Sequence, residues 1–147
     1  MMSVKSPIPQ GKYVPAKRVG NLIFTAGMTP RENGVLIQSG KIKSDFEIEH
    51  VKPAIRLAAM NTLSASEKLL NENEKIESVI SMTVYINTEG DFELHSSIAD
   101  IASEYYVELL GEAGIGSRAA IGVASLPGNA PIEIQLVVSV TEVKTIE

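Results

Sequence analysis

The run IESVISMTVYIN, from Ile76 to Asn87, decides how the chain is read. Successive side chains of a strand point to opposite faces. Strict alternation therefore puts Val79, Ser81, Thr83 and Tyr85 on one side and Ile80, Met82, Val84 and Ile86 on the other. Apolar groups on both sides describe a central strand covered on each face. To its N-terminal side, from about Glu49 to Asn71, the period changes: Val51, Ile55, Ala58, Ala59, Thr62, Leu63, Ser66 and Leu69 fall at three- and four-residue steps. That spacing winds one apolar stripe onto a helix. The small residues in the stripe let it lie close against a sheet, and Pro53 is expected in the first turn, where its missing N–H has no intrahelical partner. To the C-terminal side, Phe92, His95, Ile98, Ala99, Ala102, Tyr105, Tyr106 and Leu109 keep helical spacing. Thr88 to Asp91 offer capping groups for this second helix, and Gly111 offers a stop.

Working outward, Pro7, Pro9 and Gly11 make an extended lead-in that cannot be helical. Arg18-Val19 and the stretch Asn21 to Ala26 flank Gly20-Asn21, which predicts a hairpin with positive φ at Gly20 or Asn21. Val35 to Ile37, between two glycines, is a short third strand. After the second helix come a strand at Ala119 to Ala124, a turn at Leu126 to Asn129, and a long strand from Pro131 to Thr141. In that last strand Ile132, Ile134, Leu136, Val138 and Val140 alternate against Glu133, Gln135, Val137 and Ser139. The order β-β-(β)-α-β-α-β-β reads as an α+β fold, a single mixed sheet with two helices packed on one face. The other face, carrying Val137, Val79, Tyr85 and Ile23 or Phe24, is left bare. An apolar sheet face of that size predicts a homo-oligomer.

With 147 residues the chain is expected to form a single domain, 1–147, large enough for a core without staples. It has no cysteine, which removes disulfides, thiolate metal sites and cysteine nucleophiles. His50 and His95 are too few for a histidine metal cage, and each reads as a capping or packing residue. Thirteen basic against eighteen acidic residues leave a net charge of −5, which argues against a nucleic-acid partner. No window approaches a membrane span and the start lacks an apolar leader core, so a cytoplasmic protein with no membrane partner is expected. There is no P-loop, GxGxxG, HExxH or GxSxG, and no metal or organic cofactor is expected.

Two residues stand out chemically. Arg118 sits where the glycine-rich loop from Gly111 to Ser117 hands over to an apolar strand. Its planar fork suits bidentate recognition of a carboxylate, and an ordinary surface ion pair is the competing reading. Glu133, between Ile132 and Ile134, shares its face with Gln135. A carboxylate on a face assigned to a subunit contact needs a partner or a wet cleft, and beside an arginine it could polarise a water as general base. A solvated edge-strand residue is the alternative. Tyr13 could present its hydroxyl to the same cleft.

Three stretches together resemble the RidA/YjgF family: Gly11-Lys12-Tyr13; Val19-Gly20-Asn21-Leu22-Ile23-Phe24-Thr25-Ala26-Gly27; and Ser117 to Pro127 followed by Ile132-Glu133-Ile134. The resemblance covers about residues 11 to 140. It implies a chorismate-mutase-like fold of the bacillary type and a homotrimer with sites between subunits. It also implies hydrolysis of reactive enamines or imines to 2-oxo acids and ammonia, as by 2-iminobutanoate/2-iminopropanoate deaminases. By the same resemblance Arg118 binds the substrate carboxylate and Glu133 positions water. Tyr13, Ala26, Gly27 and Ala120 stand at pocket positions. Ala26 and Ala120 replace the family's more polar residues, Met28 replaces a common glutamine, and Gly122 a larger or acidic residue, which marks a divergent subgroup. The alternatives are a non-catalytic trimeric carboxylate-binding module and an endoribonuclease or translation inhibitor. The acidic balance and shortage of histidine weigh against the latter.

Overall fold

The computed structural model describes residues 7–144. The element order is β1 (Ala16–Val19), β2 (Leu22–Thr25), β3 (Arg31–Glu32), β4 (Val35–Leu36), α1 (Ile48–Glu67), β5 (Glu74–Asn87), α2 (His95–Leu110), β6 (Ser117–Val123) and β7 (Ile132–Glu142). Five strands form one sheet in the order β1-β2-β7-β5-β6. All neighbours are antiparallel except β5 and β6, which run parallel because α2 carries the chain back between them. The fold is chorismate-mutase-like, with both helices on one face of the mixed sheet.

Local chemistry explains the corners. Gly20 takes φ 59° and turns β1 into β2. Arg18, on the helix side of β1, grips Glu74 with both terminal nitrogens, at 2.6 and 2.8 Å, and donates to the Leu69 carbonyl. This grip, helped by the Asn71 N–H, holds the Glu74 carboxyl down at about 2. β3 and β4 make a separate two-stranded hairpin instead of the single strand expected at Val35 to Ile37. Its turn is Asn33-Gly34, with φ 53° and 82°, the positive pair that a tight hairpin needs.

Between sheet and helices lies one core. Ile23, Val84, Ile134, Leu136 and Val138 are wholly buried against Ile55, Ala58 and Ala59 of α1 and Ile98, Ala102 and Tyr106 of α2. The fully buried Tyr106 hydroxyl meets Thr62 Oγ1 at 2.7 Å, so the inter-helix seam leaves that polar pair satisfied. Three helix details differ from expectation, the first being that α1 ends at Glu67, before Asn71. α1 starts at Ile48, which puts Pro53 in its second turn, where one backbone hydrogen bond is forgone. α2 starts at His95 after Leu94 with no side-chain cap, so neither Thr88 nor Asp91 caps it; Gly111 does end it, at φ 64°.

The central strand also corrects strict alternation. The register between β5 and β7 shifts between Ile76 and Ser78 and again between Val79 and Ser81. Each shift is a bulge, one extra residue that flips the downstream side chains to the other face. Val79 therefore joins Met82 in the helix-side core, and Ile80 is turned outward. The bare face holds Phe24 (43% exposed) and Ile121 (44%) together with half-buried Tyr85 and Val137; Ile23 faces the helices. Val79→Ala is accordingly expected to cost about 2 kcal/mol in urea unfolding, and Ile80→Ala markedly less. The reverse ranking would restore unbroken alternation.

Candidate functional site

β7 carries Glu133 on the bare face, paired across to Tyr85 of β5, which in turn pairs with Ile121 of β6. The Glu133 carboxylate lies directly against Gly27, where an added Cβ would run into it. Gly27 has no positive φ, so what a larger residue would disturb there is this close approach, by displacing the Glu133 side chain, rather than the backbone conformation. Met28 fixes the segment by exchanging backbone hydrogen bonds with Ile134, at 2.7 and 2.9 Å. Burial raises the Glu133 pKa, the condition expected of a general base or acid.

Gly27 also lines a cleft of about 330 Å³ with Tyr13, Met28, Thr29, Arg31 and Asn61. Tyr13 is half exposed, and its hydroxyl accepts the Gln10 N–H at 2.9 Å. Asn61 of α1 donates to the carbonyls of Thr29 and Arg31, which pins the floor of the cleft to the helix. Ala26 sits just behind, its N–H bonded to the Pro15 carbonyl.

Arg118 stands elsewhere. It pairs with Met82 and therefore lies on the helix side of β6, in line with Ala120, which is packed against the core. Nη1 donates to Asp100 Oδ1 at 2.8 Å and to Ser103 Oγ at 3.0 Å, while Nη2 donates to Ser96 Oγ at 2.8 Å. The ion-pair reading of this arginine is thus realised within the protomer, with an α2 carboxylate. Ser96, Asp100 and Ser103 escaped the sequence reading, although their spacing of four and three residues places them on one helix face.

The structure accordingly brings Gly27 and Glu133 into contact, sets Tyr13 in a cleft that Gly27 also lines but Glu133 does not, and keeps Arg118 and Ala120 apart from Glu133. β6 and β7 are separated by β5, roughly 9–10 Å in all, and Arg118 and Glu133 occupy opposite faces of the sheet. One small molecule cannot touch both within a single copy. His95 behaves as a packing group, meeting Phe92 edge-on at 5.1 Å, whereas His50 lies exposed in the first turn of α1 and neither packs in the core nor caps the helix. Among the described residues no group of three or more His, Cys, Asp or Glu could hold a metal ion, and no helix is long and apolar enough to cross a membrane.

The family described as "YjgF/chorismate mutase-like, putative endoribonuclease" matches residues 4–140. The chain belongs to the YjgF/RidA family. A RutC family protein from Pyrococcus abyssi is 31% identical over 137 residues, 90% of each chain. A protein from Dermatophagoides farinae named 2-iminobutanoate/2-iminopropanoate deaminase is 25% identical over 90% of this chain and 89% of its own. A crystal structure of an Agrobacterium tumefaciens protein of unknown function superposes with a TM-score of 0.81 at 31% identity, covering 91% of this chain and 86% of that one. In this YjgF/RidA member, Glu133 and Gly27 are in direct contact.

Two outcomes test that contact. Gly27→Ala pushes on the Glu133 carboxylate, so in a double-mutant cycle with Glu133→Ala the two substitutions couple by about 1 kcal/mol or more. Additivity would mean that the side chains do not meet. A carboxyl raised on folding binds protons more tightly in the native state, so its cost is fully present above the folded pKa and vanishes below the unfolded value. Glu133→Gln is therefore expected to raise Tm at neutral pH, with the gain disappearing as pH falls below the ordinary carboxylate range.

Proposed function

We propose that this protein hydrolyses small reactive 2-imino acids, and their enamine tautomers, to 2-oxo acids and ammonia at sites built between copies of the chain. The observation that carries the reading is the Glu133 carboxylate, raised by burial and set against Gly27, a residue that also lines the cleft holding Tyr13. Family membership and the deaminase name of the Dermatophagoides farinae relative support it. Arg118 supplies the second half of the chemistry. Its guanidinium makes three hydrogen bonds to α2 out of five N–H donors. The remaining N–H groups, one on Nε and one on Nη2, suffice for the two oxygens of a substrate carboxylate.

Because Arg118 and Glu133 lie on opposite faces, the site needs the β6 edge of one copy to meet the bare face of another. The exposed Phe24 and Ile121 supply apolar area for that contact, and a closed homotrimer satisfies it with three equivalent sites. In such a site, water held by Glu133 of one copy adds to the imine carbon of a substrate fixed on Arg118 of the next. Glu133 takes the water proton as the C–O bond forms. Glu133 then passes that proton to the nitrogen, and as the carbinolamine collapses to the carbonyl its hydroxyl proton follows by the same carboxylate, so that the nitrogen leaves as ammonia. The imine is already electrophilic, so the protein contributes orientation and a positioned base.

A second reading, a carboxylate-binding module without turnover, draws on the Asp100 contact that already occupies part of Arg118. One experiment separates the two. A 2-imino acid is generated in situ by an amino-acid oxidase, and 2-oxo acid release is followed for the parent, Arg118→Ala and Glu133→Gln. The deaminase reading expects each variant to lose about 100-fold or more. Co-refolding the two inactive chains is then expected to recover roughly a quarter of parental activity, since half of the Arg118 donors face half of the intact Glu133 acceptors in random closed rings. A parent no faster than Arg118→Ala, with 2-oxobutyrate still bound, would establish the module instead.

A further inference from the structure

We infer that Asp100 sets which acids Arg118 accepts, selecting monocarboxylic over dicarboxylic 2-imino and 2-oxo acids. This rests on the reading of Arg118 as the carboxylate-binding group. The arginine does not present a bare cation. Its side chain is 23% exposed, and Asp100, 59% exposed, lies 2.8 Å from Nη1. Ser96 and Ser103 hold the fork from either side of that carboxylate along the same face of α2, so the guanidinium is fixed in orientation and neutralised at once. An incoming carboxylate must share the guanidinium with Asp100.

The electrostatic consequence has a definite sign. A first carboxylate gains the remaining N–H bonds but sees a pair whose net charge is zero, so it binds weakly and is released readily after turnover. A second carboxylate on the same ligand finds no unpaired guanidinium and meets the exposed negative charge of Asp100, a few ångströms away and only partly screened. Asp100 is therefore a specificity-determining residue, and Ser96 and Ser103 are positioning residues that hold the arginine for it. A purely structural role, tying β6 to α2, would give the opposite behaviour on neutralisation: a looser arginine and weaker binding.

The test measures dissociation constants for 2-oxobutyrate and 2-oxoglutarate by calorimetry at low salt, on the parent, Asp100→Asn and Asp100→Glu, with thermal melts as a check on folding. Asp100→Asn keeps the shape and removes the charge. It is expected to tighten 2-oxobutyrate by about three- to tenfold and 2-oxoglutarate by a larger factor, with both gains shrinking as salt is raised. Asp100→Glu is expected to stay near the parent. Asp100→Ser serves as the neutral variant should Asp100→Asn not fold. Equal or weaker binding in the folded neutral variant overturns the inference, as does equal tightening of the two ligands, or absence of binding in both parent and variant. Tightened, charge-selective binding without any 2-oxo acid release from imines would uphold the role of Asp100 and remove the deaminase reading instead.

Discussion

A pleated sheet sends alternate side chains to opposite faces, and hydrogen-bonded register ties each residue to the same face as its neighbours. That rule decides where Arg118 and Glu133 are placed. Register from Arg118 through Met82 to Leu136 runs along the face under the helices, while register from Ile121 through Tyr85 to Glu133 runs along the bare one. The guanidinium can then reach α2, where three oxygens take it, and the carboxylate can reach Gly27 at the end of β2. Neither can reach the other. A chemistry that uses both has to be assembled from more than one copy, and the apolar bare face offers the surface on which such assembly would occur.

The same rule shows why much of the fold was legible and where reading stopped. The helices at Ile48–Glu67 and His95–Leu110 and the long strand Ile132–Glu142 carry uninterrupted periods, so their type and buried face follow from spacing alone. The central strand does not. Its bulges at Glu77 and Ile80 break the alternation, and nothing local in a run of isoleucine, serine and valine announces where an extra residue will be accommodated. That choice is made by pairing with β7, about sixty residues away in sequence. The hairpin of β3 and β4 was readable in principle from Asn33-Gly34, but strands of two residues have no period to measure. The place of Pro53 and the start of α2 escaped because α1 tolerates a proline in its second turn and α2 begins without a side-chain cap, where capping rules are silent.

Of the site, Glu133 was placed on its face by alternation, Tyr13 was offered to the same cleft by residue type, and Gly27 entered only through family resemblance. The Gly27–Glu133 contact depends on how the segment after β2 folds back onto β7 through the Met28–Ile134 backbone pair, a contact of high sequence separation. Arg118 was recognisable by residue type, but its surroundings were not. Ser96, Asp100 and Ser103 look like an ordinary polar helix face until the edge strand is laid beside them. Once it is, one carboxylate and two hydroxyls of α2 converge on the guanidinium, so the arginine is both fixed in orientation and paired in charge.

Hydrolysis as proposed requires a site shared between copies, with the arginine from one and the glutamate from another. A crystal structure with 2-oxobutyrate bound tests this most directly. The expected result is a ligand carboxylate on the free N–H groups of Arg118, with Asp100 still in place, and the ligand carbonyl carbon facing Glu133 and Tyr13 of a neighbouring copy. A ligand bound wholly within one protomer, or a carbonyl carbon remote from every Glu133, would contradict it.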